Sequence, residues 1–284
     1  MLAAKWETRK LTLLYWNMPQ EMNMPALDLR MLTSKWWFYF LLFLVPLFVP
    51  PYTSEPLAYD QVGELMGVVL REALKPYGWW APVFHIITIF LVILVWKFNW
   101  KVSRYFYAYF ALDSIFMAFA QNIVFTEKFG LVIIFSNLLQ ILIIGILFVP
   151  AIFRPRNDFV PSKLEKWRLW AAPLAILAFW AQMDALGQQD FSPMLLLTSA
   201  YGLAFCFTAP VLILILSLYF PNVYKPAYRF LCIVGTYIGV LNLMGPLTIP
   251  EYPVWVTFLH IPLLSISIYG LALEKIRPAL TVQV

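Results

Sequence analysis

The stretch Phe110–Phe125, "FALDSIFMAFAQNIVF", decides the fold. It is apolar nearly throughout, yet Asp113 stands near its start and Gln121 and Asn122 near its end. About 20 mostly apolar residues suffice to cross a bilayer core as a helix. A carboxylate inside such a run must face other protein or water, because in lipid it costs roughly 2.5–3.5 kcal/mol on insertion scales. The rest of the chain repeats the pattern: 284 residues, 62% hydrophobic, 12% charged, mean hydropathy +0.76. Soluble domains carry roughly 25% charged residues, so a water-soluble fold of this length could not hide so much apolar surface. Aromatic residues make up 18%, with 12 Trp, as interfacial belts require.

Working outward, hydropathy predicts an all-α, polytopic transmembrane bundle of eight spans: 36–52, 79–98, 105–125, 129–152, 167–186, 193–219, 228–249 and 253–273. A cleaved leader is the competing reading of the first. It is disfavoured because leaders run to about 15–30 residues and end at a small-x-small site. Lys and Arg concentrate in alternate connections: Lys5, Arg9, Lys10, Arg30 and Lys35; Lys97, Lys101 and Arg104; Arg154, Arg156, Lys163, Lys166 and Arg168; Lys225 and Arg229; Lys275 and Arg277. The opposite connections hold Glu127-Lys128, Asp184, Asp190 and Glu251. The positive-inside rule then puts both termini in the cytoplasm of a multi-pass cell-membrane protein. Residues 1–35 form a cytoplasmic segment, 36–273 the membrane domain and 274–284 a cytoplasmic tail.

The first outer connection has its own pattern. In 57–75, "LAYDQVGELMGVVLREALK", Ala58, Val62, Leu65, Val69 and Ala73 recur at helical spacing. That is an amphipathic helix, lying on the outer membrane surface or capping the bundle. "KWWFYFLLFLVP" at 35–46 echoes "KWRLWAAPLAIL" at 166–177, but matches so short are better ascribed to chance than to duplication.

Polar residues within the spans are the candidate functional groups. With a rise of about 1.5 Å per residue, Asp113 lies roughly 13 Å above the cytoplasmic end of its span. It shares a helix face with Met117 and Gln121. Asn137 and Gln140 lie on one face of the fourth span, Gln182 and Asp184 end the fifth, and Asn242 is in the outer half of the seventh. His85 with Thr88, and His260 with Thr257 and Ser267, mark the second and eighth. Together they suggest an interior polar pocket in the outer half; for Asn and Gln, hydrogen bonding between helices is the commoner role. His85 and His260 sit at matched depth, so they fit the two axial ligands of one haem b or two separately satisfied imidazoles. A zinc site would need a third or fourth ligand, and no third histidine exists.

Gly235 and Gly239 form a GxxxG close-packing face, while Pro210 and Pro262 predict kinks. Only 11 glycines are present, which weighs against large rocking motions. Cys206 and Cys232 fall in apolar segments as small hydrophobes. There is no phosphate-cradling loop, HExxH or GxSxG, so no catalytic activity of its own is expected. Two functions remain. The first is a subunit of a larger membrane complex, related to electron transfer, whose outer-half pocket holds a lipid-soluble ligand such as quinone or haem. Its partners are membrane lipids and other membrane subunits, with no nucleic acid. The second is a small-solute or proton-coupled transporter or channel with Asp113 as the coupling residue. His85, Gln121, Asn137, Gln140, Asn242 and His260 complete the ligand or proton pathway in these readings. An enzyme acting on lipid has least support, since no nucleophile–base pair can be named.

Overall fold

The computed structural model describes residues 35–153, 158–159, 164–183, 189–248 and 254–276. Nearly all of the N-terminal segment, most of the tail, and Arg154, Arg156, Lys163, Asp184 and Glu251 lie outside the described residues. The fold is mostly helical. In chain order come α1 (Trp36–Phe48), strand β1 (Tyr52–Thr53), α2 (Val62–Glu72), α3 (Ala81–Phe98), α4 (Ser103–Ala120), strands β2 (Ile123–Thr126) and β3 (Gly130–Ile133), and α5 (Phe135–Phe153). Then follow α6 (Ala172–Trp180), α7 (Phe205–Tyr219), α8 (Lys225–Leu243), α9 (Val254–Leu259) and α10 (Ile261–Ile276).

Among the described residues four helical stretches are long and apolar enough to cross a membrane: Lys75–Ala120, Phe135–Phe153, Lys225–Leu243 and Val254–Lys275. The first is a hairpin of α3 and α4. Asn99 takes φ 54° at the end of α3, and the 3-10 turn Asn99–Val102 folds the chain back. The Tyr109 hydroxyl therefore reaches Phe84 O at 3.2 Å, and the Phe84 and Phe116 rings stack at 5.4 Å.

Three of the eight expected spans differ from long helices. α1 has 13 residues, about 20 Å at helical rise, short of a roughly 30 Å core. The fifth begins with 3-10 turns, Lys166–Ala171, and its α-helical part stops at Ala181, whose φ is 40°. The sixth is interrupted: one turn, Leu195–Thr198, then irregular chain to the start of α7 at Phe205. Gly202 takes φ +77° there, and its backbone rests on the Phe84 side chain so closely that a Cβ could not fit. Ser199, Ala200, Tyr201 and Leu203 are buried, as irregular backbone in an apolar bundle must be. The eighth breaks at His260, just before Pro262, as the proline predicts.

The fold also departs from all-α. Residues expected to end the third span and begin the fourth form the hairpin β2–β3, turned at Gly130 with φ +62°. β1 adds to it, giving the order β1-β3-β2, with Tyr52 opposite Ile133. The apolar face of α2 packs on this hairpin region: Leu65, Val69 and Ala73 are buried with Phe129, Val132 and Ile134. The predicted amphipathic helix thus caps a small sheet. Glu64 and Lys128 tie its polar face to the hairpin turn at 2.6 Å.

The interior centres on α7, which is buried along almost all its length between α6, α8 and α10. Glycines set the closest crossings. A Cβ on Gly145 of α5 would meet Ala111 O of α4 at 2.9 Å; one on Gly239 of α8 would meet Leu264 Cα of α10 at 3.1 Å. At the end of the bundle away from the sheet, the buried Arg168 guanidinium donates to Ser217 O and Phe220 O, the latter at 2.9 Å. It caps carbonyls at the C-terminal end of α7, where Ser217 O also accepts from Phe220 N. Arg229 of α8 and Glu274 of α10 form an ion pair nearby.

Candidate functional site

Asp113 sits in the middle of α4 and is 2% exposed. Neither carboxylate oxygen has a hydrogen-bond partner. It lies within electrostatic reach of the Tyr109 and Tyr201 hydroxyls. Tyr109 precedes it by one turn on the same helix face. Tyr201 comes from the buried irregular segment before α7, and Thr88 from α3.

These hydroxyls form a directed chain. Tyr201 OH donates to Thr88 Oγ1 at 3.0 Å, and Tyr109 OH donates to Phe84 O at 3.2 Å. The Tyr109 proton is thereby used, so in the 3.1 Å contact between Thr88 Oγ1 and Tyr109 OH the threonine is the donor. The order is Tyr201, Thr88, Tyr109, Phe84 O.

His85 lies one turn before Thr88 on α3. Its Nδ1 is 2.8 Å from Ala81 O, and its Nε2 is 3.2 Å from Phe179 O and 3.1 Å from Ser199 Oγ. A carbonyl only accepts, and each ring nitrogen faces one, Ala81 O at Nδ1 and Phe179 O at Nε2, while the Ser199 hydroxyl donates its own proton to Phe179 O at 3.1 Å. The ring contacts Phe179 at 4.7 Å and Tyr201 at 5.1 Å. His260 has other partners: its Nδ1 is 2.9 Å from Val256 O, and its ring stacks with Phe207 at 6.4 Å. This arrangement does not fit the expected haem b. An axial ligand presents an imidazole lone pair to the iron, and both His85 nitrogens face protein oxygens while the two rings have different aromatic neighbours. Among the described residues no group of three or more His, Cys, Asp or Glu is placed to hold a metal ion.

The other expected pathway residues are dispersed. Gln121 Oε1 accepts from Phe205 N at 2.8 Å, satisfying a free amide at the start of α7. Asn242 Nδ2 contacts Cys206 Sγ at 3.2 Å, joining α8 to α7. Asn137 is half-buried on the first turn of α5. Gln140 is buried on α5, and neither of its amide atoms has a partner. The groups within electrostatic reach of Asp113 are thus Tyr109 and Tyr201, which are bridged by Thr88, and the His85 ring contacts Tyr201. Tyr109 had a signal in the sequence, since it stands four residues before Asp113. Tyr201 and Ser199 had none, because only the break before α7 carries them inward. No protein-family model, curated protein or solved structure matches the chain.

Proposed function

We propose that the chain is a multi-pass protein of the cell membrane that works as a small-solute or proton-coupled transporter, with Asp113 as its coupling residue. The observation that carries this reading is the Asp113 carboxylate, buried in mid-helix with both oxygens unpartnered. A buried polar group without a partner costs free energy, and an ionised one costs more. Such a group persists where it exchanges a proton or ligand. The rival reading, an electron-transfer subunit holding quinone or haem, has no comparable support.

Orientation and span number belong to the same proposal. Eight passages bring both chain ends to the side away from the sheet, with the three short or interrupted segments crossing under cover of their neighbours. Antiparallel helix pairing gathers Lys35, Lys97, Lys101, Arg104, Lys166, Arg168, Lys225, Arg229 and Lys275 at that end, against Asp158, Glu165 and Glu274. At the sheet end Arg71, Lys75 and Lys128 meet Glu55, Asp60, Glu64, Glu72, Glu127 and Asp190. The asymmetry supports a cytoplasmic basic end and an outward-facing sheet.

Proteoliposomes holding an entrapped pH-sensitive dye provide the test. Under a potassium diffusion potential, wild-type protein should carry protons inward, and Asp113→Asn, of the same shape, should abolish the flux with its melting temperature unchanged. Equal flux in the variant refutes the role.

A further inference from the structure

We infer that the species Asp113 exchanges is the proton, and that it arrives along the hydroxyl chain Tyr201–Thr88–Tyr109. The inference rests on the preceding reading of Asp113 and adds the chemical identity of what is coupled and its route.

Three observations lead there. First, the tyrosine hydroxyls within electrostatic reach of the carboxylate are already committed to other partners: Tyr201 to Thr88, Thr88 to Tyr109 and Tyr109 to Phe84 O. A metal cation needs several oxygens at once, and hard cations take six or more. A proton needs one acceptor. Second, the segment carrying Tyr201 is packed closely, with the Gly202 backbone on the Phe84 side chain and Tyr201 fully buried. An organic solute would have to displace that segment, and a proton would not. Third, the chain is ordered. Each of its three hydroxyls donates one bond, each donor passes to the next residue, and the last lies one turn from Asp113 on the same face.

The transfer balances without a co-reactant. Tyr109 turns from Phe84 O and releases its hydroxyl proton to the Asp113 carboxylate through one bridging water, the usual link between polar groups that do not touch. Thr88 gives its proton to the Tyr109 oxygen, and Tyr201 gives its proton to the Thr88 oxygen. Tyr201 takes up one proton from the side where Ser199 and His85 lie. One proton enters and one reaches Asp113, each O–H bond broken is replaced by one formed, and no hydroxyl is left changed. The hydroxyls then turn back to their starting directions. The titratable groups that interact electrostatically with the carboxylate are Tyr109 and Tyr201, and the His85 ring contacts Tyr201; Lys97, Arg104, Tyr105 and Tyr107 also lie on α3 and α4.

Time-resolved infrared spectroscopy of the full chain in lipid tests this without knowledge of a solute. The band to follow is the Asp113 carboxyl stretch, identified by its loss in Asp113→Asn, after a pH jump in the medium. Tyr109→Phe removes one oxygen and keeps the ring; Thr88→Val removes the middle hydroxyl; Thr88→Ser keeps it. Tyr109→Phe and Thr88→Val should slow the band's response by about a hundredfold, the lower end of what a positioned proton-transfer group contributes. Thr88→Ser should respond as wild type does. An unchanged rate in Tyr109→Phe overturns the route and leaves the coupling role of Asp113 standing. A wild-type carboxyl band that ignores the pH jump overturns both. Melting temperature in the same lipid separates a blocked route from a damaged fold, and Tyr109→Phe remains decisive if Thr88→Val does not fold.

Discussion

Gly145→Ala adds one methyl group and tests a close approach of α5 to the backbone of α4. Alanine in place of glycine within a helix ordinarily gains about 1 kcal/mol. Here the new Cβ would lie 2.7 Å from Ile115 Cγ1, 2.9 Å from Ala111 O and 3.3 Å from Ile115 N. Relaxed contacts between carbons sit at about 3.5–4.0 Å, so the shortfall is roughly 1 Å. Ile115 can rotate away, but Ala111 O and Ile115 N are backbone and move only if α4 separates from α5. Overpacking of this kind costs about 1–3 kcal/mol, and a backbone clash belongs near the top of that range. Net of the helix gain, the variant should be less stable by about 2 kcal/mol. Gly235→Ala is the control: its Cβ meets the Ser267 hydroxyl, which can turn, and Leu263 Cδ1 and Ser267 Cβ at 3.3 Å, with no backbone atom among them. It should stay within about 1 kcal/mol of wild type. Unfolding in mixed detergent, followed by tryptophan fluorescence, measures both. The sign decides: a Gly145→Ala protein as stable as wild type, or more so, would mean that α4 and α5 do not approach this closely.

Two further outcomes are expected. Arg168→Met keeps the apolar stem but removes the donor to Ser217 O and Phe220 O, and bonds from a charged donor are worth about 1.5–3 kcal/mol each; the same unfolding assay should show a loss of about 3 kcal/mol, and no loss would mean water serves those carbonyls equally well. Gln121→Ala removes the acceptor for Phe205 N, so the start of α7 should lose about 1 kcal/mol and its amides should exchange hydrogen faster; unchanged exchange at Phe205 refutes the capping role.

Hydropathy places α3, α4, α5 and α8 well, because a long apolar run between charged connections has few alternatives. It does not find the β-hairpin. "NIVFTEKFGLVII" joins two apolar runs smoothly, and only packing under α2 makes strands of Ile123–Thr126 and Gly130–Ile133. The break before α7 is likewise quiet: "TSAYGLAF" has no proline, and Gly202 alone hints at it. For the site, Asp113 is legible because a carboxylate is conspicuous in an oily helix. Its companions are not, because a tyrosine in a chain with 18% aromatic residues reads as part of an interfacial belt. The amides chosen by depth, Gln121 and Asn242, became a helix cap and an interhelical contact, since depth alone does not say which way a side chain points.

The register that sets Tyr52 against Ile133 also constrains the order of biosynthesis. β1 emerges from the ribosome long before its partner, and the whole α3–α4 hairpin is made in between. Until β3 appears, β1 exposes unpaired amides and carbonyls, and α2 has no hairpin on which to lay Leu65 and Val69. Closing this sheet is therefore a late event that locks together segments already inserted, and a ribosome-bound chain that ends before Gly130 should leave the Val62–Glu72 region open to protease.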